Sequence, residues 1–439
     1  MVSQYRFNHI AFGIVLGLLT TTLGGNAYAQ LAPEAAPAAG TPSAFTPKER
    51  TVDKALLTAA EAEQSRALKT LERIVKIETG TGDKVGMPQL SALLASELKN
   101  LGAMVKLHKA AGDVVGDNVV GQLKGTGGKN LLLMAHMDTV YPRGTLAKTP
   151  WRIVGNKAYG PGIGDAKSGI AVILHSLQLL KSRGFVDYGT ITVLFNTDEE
   201  QGSHGSKALI ESLAAKSDAV FSYEPTLTGP EVMTLNTSGI GAINVTIKGL
   251  AAHAGANPEL GVNALAEASD FVLRTLDLDE GPGGLRFTWT RLNAGSVNNI
   301  VPDNATLYAD VRYPTKADFD KLVVTLNERA VTKRVAKAEI SIDVNPGRPP
   351  FNANAGGRAL IQNAVDIYQS LGHQITVIPV TGGGTDAGYV TASGKPTIEA
   401  LGLPGYGYHA NVGEWVLIDA IPRRLYLSAQ MIMDVLQDK

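Results

Sequence analysis

Asn130-Leu-Leu-Leu-Met-Ala-His136-Met-Asp138 is an apolar run that stops abruptly in a histidine and an aspartate. Two later stretches repeat the pattern. Thr190-Ile-Thr-Val-Leu-Phe-Asn196 leads into Asp198-Glu199-Glu200, and Ala219-Val-Phe-Ser-Tyr223 leads into Glu224-Pro225. Short aliphatic and β-branched runs of this kind read as buried strands. In α/β sheets ligands gather just beyond the carboxyl ends of strands, so these three strand ends predict one polar site.

Working outward, the spacing of Leu56, Leu57, Leu68, Leu71, Ile74 and Val75 predicts a helix over about Val52 to Ile77, and Pro88 to Leu101 reads as a second. Ile170, Ile173, Leu174, Leu177 and Leu180 form one face of a helix expected to begin at Ala166 or Lys167. Strands alternating with helices predict an α/β fold, a mixed sheet with helices on both faces.

Near Thr237 the pattern changes. Ile243, Val245 and Ile247 alternate with polar residues; Gly261 to Leu276 is helical; Leu285 to Thr290 and Thr306 to Tyr313 alternate again. A helix, Lys316 to Val335, and a strand, Ile340 to Val344, complete a β-α-β-β-α-β order, which is that of a ferredoxin-like unit. Strand-helix segments resume after Phe351 with helix Gly357 to Leu371, strand Gln374 to Val380 and helix Ile418 to Leu436. The expected organisation is therefore a discontinuous catalytic domain, 51–237 and 351–439, with an inserted α+β dimerisation or lid domain at 238–350.

The 439 residues suffice for two domains, and 44% apolar with 18% charged residues suits a globular chain. A formal net charge of -1 leaves no global basic field for nucleic acid. With no cysteine, disulfides, thiolate metal sites and cysteine nucleophiles are all excluded, and any metal must be held by His, Asp and Glu. Arg6, the apolar segment Ile10 to Leu19 and the small-x-small Ala27-Tyr-Ala29 predict a signal peptide over 1–29. An Ala- and Pro-rich flexible leader over 30–50 follows. The mature protein is expected to be exported, periplasmic in a Gram-negative host, with no membrane attachment after cleavage.

A two-metal hydrolytic site needs carboxylates to share the ionic charge, imidazoles to complete each shell, a bridging ligand and a separate base for water. His136, Asp165, Glu200, Glu224 and His409 supply that set if the strand ends converge. Asp138 lies on the same side of an extended chain as His136 and could orient its imidazole. Glu199, pointing away from Glu200 in an extended segment, is left to be the base. The plainer reading of Asp165 is a helix N-cap. Other motifs fail: Pro161 and Ala166 occupy the glycine positions of a P-loop, and no Gly-x-Ser-x-Gly elbow occurs. Thr381-Gly-Gly-Gly-Thr385 lacks dinucleotide-fingerprint spacing and suits a loop whose backbone N–H groups, Gly384 among them, bind a substrate carboxylate.

His136-Met-Asp138, Gly160-Pro-Gly-Ile-Gly-Asp165-Ala-Lys, Asp198-Glu199-Glu200, Tyr223-Glu224-Pro225, Ala252-His253-Ala-Gly255, Thr381-Gly-Gly-Gly-Thr-Asp386 and Gly407-Tyr-His409 together resemble the di-zinc aminoacylase/carboxypeptidase family. Within it the chain looks most like the glutamate carboxypeptidases of the carboxypeptidase G type. The resemblance, from about Lys54 onward, implies a zinc-exopeptidase-like catalytic domain and two Zn2+ per subunit. Asp165 would bridge them, with His136 and Glu224 completing one shell and Glu200 with His409 the other. It also implies Glu199 as the proton acceptor, Asp138 holding His136, and a homodimer in which His253 reaches the neighbouring subunit's site to stabilise the oxyanion. Substrates of this type end in a glutamate amide: folates, antifolates, N-acyl-glutamates or short peptides with a free C-terminal carboxylate.

Guanidinium groups bind carboxylates in bidentate fashion, which makes Arg312 and Arg348 candidate substrate residues; the resemblance adds Asn299. The plain alternative for either arginine is a surface salt bridge. The chain departs from the carboxypeptidase G pattern at Ala166, where a second acid is expected, and at Val232, where a lysine is expected near the substrate. The rival within enzymes is an N-acyl-amino-acid amidohydrolase or dipeptidase with another side-chain preference. The rival from another class is a metal-free periplasmic binding protein, which would need a missing ligand, and all five are present.

Overall fold

In this computed structural model, residues 45–410 and 413–437 are described; the expected signal peptide and most of the leader lie outside them. The three apolar runs are strands, Asn130–His136, Thr190–Asn196 and Ala219–Ser222, that lie side by side and parallel. Leu131, Leu132 and Leu133 are fully buried, so truncating any one to alanine would cost roughly 2–5 kcal/mol. Two antiparallel strands, Met104–Lys109 and Asp117–Lys124, extend the sheet on one side, and the two-residue strand Thr397–Ile398 extends it on the other. The result is the mixed six-stranded sheet expected.

Helices Lys54–Val75, Gly86–Leu101, Gly169–Ser182, Ala355–Ser370 and Ala420–Gln437 pack around one hydrophobic core built on that sheet. Asp53 and Asn354 cap two of them, each accepting the backbone N–H three residues on. Two expectations are corrected. The helix after Asp165 begins at Gly169, because Asp165 and Ala166 have non-helical backbone angles, so Asp165 is not its N-cap. The strand expected at Gln374 to Val380 is Ile375–Ile378, and it pairs with Glu231–Thr234 in a separate ribbon outside the main sheet. A third sheet of short strands, among them Pro404–Tyr406 and Trp415–Leu417, went unread in the sequence because its members are two or three residues long.

The second unit in the pattern is a four-stranded antiparallel sheet of Gly239–Lys248, Arg286–Ala294, Asn304–Tyr313 and Glu339–Arg348. Gly239–Lys248 lies between Asn304–Tyr313 and Glu339–Arg348, the order of a ferredoxin-like sheet. Its strands bury alternate residues against helices Ala264–Leu273 and Lys316–Val331, forming a second core. The opposite face carries Tyr308, Asp310 and Arg312. Asn236–Thr237 pairs with Phe351–Asn352, so the chain enters and leaves this unit side by side. No helix among the described residues is long and apolar enough to cross a membrane.

Candidate metal centre

His136 ends its strand in register with Asn196, and the Met137 N–H donates to the Asn196 carbonyl, which holds the imidazole at the carboxyl ends of the central strands. Its Nε2 lies 2.9 Å from Asp165 Oδ1 and 3.5 Å from Glu224 Oε2. The other Asp165 oxygen lies 3.1 Å from His409 Nε2, which is itself 3.3 Å from Glu200 Oε2. The five candidate ligands thus meet in two overlapping groups that share Asp165. Ligand atoms of His136, Asp165 and Glu200 all lie within 4.8 Å of one another.

Asp138 does more than stand behind His136. The nearest partner of the imidazole Nδ1 is the Asp138 main-chain oxygen at 3.0 Å, with the carboxylate at 3.4 Å. That carboxylate accepts the backbone N–H groups of Glu199 and Glu200, at 3.0 and 3.1 Å, and the Thr81 hydroxyl. Glu199 to Gln201 form a one-turn 3-10 helix closed by Gly202 at φ 88°, where an extended segment was expected. Glu199 and Glu200 therefore diverge by about a third of a turn, as 3-10 geometry dictates, instead of pointing to opposite sides. Glycine is required at 169 for a different reason: a Cβ there would lie 2.0 Å from the Tyr223 carbonyl, just before Glu224.

The cluster is short of positive charge. Burial, with Asp165 nearby, pushes the Glu224 carboxyl up to about 8 despite His136. The His409 imidazole is driven up to about 10 by hydrogen bonds to Asp165 and Glu200. His136 is buried, which disfavours its charge, yet the surrounding carboxylates hold it well above its usual value. Glu200 Oε1 is buried with no hydrogen-bond partner among the described residues. Convergent carboxylates and imidazoles with an orphaned oxygen fit divalent cations, and this all-oxygen-and-nitrogen donor set fits zinc.

A cavity of about 630 Å³ opens over this centre. Glu199, Glu200, Glu224 and His409 line one side, and the polar face of the second sheet lines the other with Tyr308, Arg312 and Asn345. Arg348 and Gly384 also reach it, and so does His204. Arg348 is almost wholly buried and grips Glu199: Nη1 donates to its carboxylate and Nη2 to its main-chain oxygen. Glu199, expected to be free, is thus ion-paired. Burial nonetheless holds its carboxyl well above the usual range, opposed chiefly by Arg348. Arg312 pairs with Asp310 at 2.8 Å while lining the cavity, so its salt bridge and its access to the cavity coexist.

Asn299 and His253 are not among the residues lining this cavity. They sit together on the second unit, where the Ala254 N–H donates to the Asn299 carbonyl. The exposed imidazole of His253 accepts the N–H groups of Gly255 and Ala256 at Nδ1, which leaves Nε2 to carry the proton. Val232 is buried in its strand and is not among the cavity-lining residues either. His175 is an internal strut, 2.7 Å from Glu63 and 2.9 Å from the Thr70 hydroxyl. Sequence reading missed Glu414 and gave Asp386 no role, although the latter's carboxylate accepts from Asn196 and lies 3.8 Å from Arg348. Asp386 stands in the Thr381-Gly-Gly-Gly-Thr-Asp386 motif, whereas Glu414 carries no local signal, since its partners lie about 250 positions away.

Peptidase family M20/M25/M40 matches residues 132–434. Carboxypeptidase G2 of Pseudomonas sp. (strain RS-16) is 57% identical over 383 residues, spanning 87% of this chain and 92% of that protein. Succinyl-diaminopimelate desuccinylase 1 of Alteromonas mediterranea is 28% identical over 313 residues, 65% of this chain and 77% of its own length. Among solved structures, the aminopeptidase PepT of Bacillus cereus superposes with a TM-score of 0.73 at 22% identity, covering 85% of this chain and 98% of its own. An M20 family metallo-carboxypeptidase of Sulfolobus solfataricus gives 0.65 at 17%, covering 83% and 98%. At those identities the solved structures speak to the fold.

Proposed function

This chain belongs to peptidase family M20/M25/M40, and from that premise we propose that it is a metallo-carboxypeptidase cleaving the amide bond to a C-terminal glutamate. The observation that carries the reading is the meeting of His136, Asp165, Glu200, Glu224 and His409 at a cavity that Arg312 and Arg348 also line. The 57% identity to a carboxypeptidase G2 supports the choice of glutamate.

The enzyme uses a metal cofactor, and the donor set supports two Zn2+, with Asp165 shared, His136 and Glu224 on one side and Glu200 and His409 on the other. Held by these residues, zinc would supply Lewis acidity toward the scissile carbonyl and would acidify the attacking water. Glu199 accepts the proton of the attacking water and passes it to the departing amine. Arg348 and Arg312, with the Gly384 N–H, hold the two carboxylates of the leaving glutamate; their cationic forks match that charge and geometry. In a homodimer His253 of the partner subunit would supply an Nε2–H to the oxyanion, and Asn299, beside it, would approach the substrate from the same side. The small-x-small segment at 27–29 supports export to the periplasm.

The test is metal content per chain measured beside amino-acid release from a folate, N-acyl-Glu, N-acyl-Ala and N-acyl-Leu. Two zinc ions and preferential glutamate release are expected. Release of alanine or leucine at equal rates would assign the chain to the amidohydrolases of broader preference, and turnover unaffected by exhaustive chelation would overturn the metal mechanism.

A further inference from the structure

Asp165 is the one candidate ligand common to both groups, yet the short helical segment carrying it is broken by non-helical backbone angles at Asp165 and Ala166. Residues Ile163–Ser168 form an irregular turn between glycines and the helix that starts at Gly169. A carboxylate on such a turn keeps its place only if something else fixes the main chain. In this fold that something is Glu414.

The Glu414 side chain is buried and converges three donors on one carboxylate. Oε1 accepts the N–H of Gly164 at 2.6 Å and of Asp165 itself at 2.9 Å, and Oε2 accepts the N–H of Gly162 at 3.0 Å. Its main-chain oxygen accepts a fourth, from Gly160, at 3.1 Å. Glu414 thereby takes four of the stretch's five backbone N–H groups, those of Gly160, Gly162, Gly164 and Asp165, while the Ile163 N–H donates to the Gly160 carbonyl; left unpaired and buried, each would be costly. Glycine at 164 is part of the fit, because a Cβ there would lie 2.3 Å from the Tyr408 ring and 3.1 Å from Glu414 Oε1. Tyr408 precedes His409, and Glu414 follows it by five residues. The segment that supplies one candidate ligand thus clamps the turn that supplies another, about 250 positions earlier in the chain.

We propose that Glu414 is a positioning residue of the metal centre, whose carboxylate fixes the backbone of Asp165 so that its two oxygens face the His136 and His409 sides. It touches neither substrate nor metal; it acts through Asp165. The proposal rests on the dinuclear reading above and narrows it. Outer partners of metal ligands are typically worth 10–100-fold in metal affinity, and that is the magnitude expected here.

The deciding experiment is competition for Zn2+ between a chromophoric chelator and the purified full chain, wild type beside Glu414→Gln. The amide keeps one acceptor oxygen but turns an N–H2 toward N–H donors. Glu414→Gln is expected to melt cooperatively, with a wild-type circular dichroism spectrum, and to bind zinc 10–100-fold more weakly. Glu231→Gln, a change in a buried ion pair away from the site, should lower thermal stability and leave zinc affinity unchanged. A folded Glu414→Gln within twofold of wild-type affinity overturns the proposal, and so does equal weakening in Glu231→Gln. Should Glu414→Gln fail to fold, Glu414→Asp decides by the same readout, since it keeps the charge but withdraws the carboxylate by one methylene. Failure of the wild type to bind zinc would instead strike at the dinuclear reading itself.

Discussion

Arg348 and Glu199, 149 positions apart, form a buried two-point contact in which the guanidinium holds both the carboxylate and the main-chain oxygen of the glutamate. Asp386, 3.8 Å from Arg348 Nη2 and itself hydrogen-bonded by Asn196, backs the arginine from behind. The residue proposed to grip a substrate carboxylate is therefore in contact with the residue proposed to move the proton. On the proposed roles, substrate binding and proton transfer would share one guanidinium.

Arg348→Lys tests that coupling. An ammonium is a point charge and cannot make two directed contacts in parallel while also meeting a substrate carboxylate. We expect kcat/KM for an N-acyl-glutamate to fall by more than about tenfold, with changes in both kcat and KM. Steady-state kinetics with wild-type parameters would show that the contact has no part in turnover.

Glu199→Gln keeps the shape of the side chain and removes its ability to take a proton. Turnover should fall by roughly 10²–10⁴-fold while zinc content, measured by atomic absorption, stays at the wild-type value. Near-normal turnover would mean that another group is the base.

Asp138→Asn is expected to disturb two things at once. One carboxylate oxygen accepts the Glu199 N–H, and the other accepts the Glu200 N–H and the Thr81 hydroxyl; an asparagine offers only one acceptor oxygen. A loss of about 10–100-fold in metal affinity or activity follows from such a partner, and isothermal titration with Zn2+ would measure the first part. Unaltered affinity and rate would reduce Asp138 to a bystander.

His253→Ala should lower turnover without changing the molecular mass found by analytical ultracentrifugation, which is that of a dimer on the proposed reading. The sharper check is reassortment with Glu199→Gln chains. If His253 acts across the dimer, each mixed dimer recovers one intact site, so random mixing restores about a quarter of wild-type activity. A mixture as inactive as its components would place the histidine's role within its own subunit.

Glu231 is the partner of two arginines, Arg424 with no exposed surface and Arg423, at 2.6 and 2.7 Å. Burial pushes its carboxyl up, but Arg424 and Arg423 more than offset this and hold it below the usual glutamate value. A depressed folded-state pKa contributes stability that is present above the unfolded pKa and is lost as pH falls through the folded one. Glu231→Gln should cost roughly 3–5 kcal/mol near neutral pH by leaving Arg424 buried without its counter-charge. The difference in Tm from wild type should shrink on the acid side of the carboxylate range; a pH-independent difference would contradict the ion-pair account.

Much of the molecule is legible in the sequence. The runs ending at His136, Asn196 and Tyr223 announced three strands because burial on both faces leaves a continuous apolar string. The alternation of Ile243, Val245 and Ile247 announced a sheet covered on one side only, and the order of its segments announced a ferredoxin-like unit. Of the candidate ligands, His136, Glu200 and Glu224 were legible because each comes at or just after the end of such a string, whereas Asp165 and His409 follow glycine-rich turns. Harder to read were the short strands, since two or three residues carry no period, and the start of the helix at Gly169, since the turn before it is held by a residue from the far end of the chain.

By itself the sequence determined which faces are buried, where strands end and which side chains with metal-binding chemistry stand at those ends, because all of these are written in local periodicity and residue type. Only the tertiary structure decided that Glu199 lies in the grip of Arg348, that Asp138 supports the Glu199-Glu200 turn and that Glu414 clamps the Asp165 turn. Each of those contacts joins residues about 60 to 250 positions apart, and no local pattern of side chains encodes which distant backbone N–H or carboxylate a folded chain will bring within 3 Å.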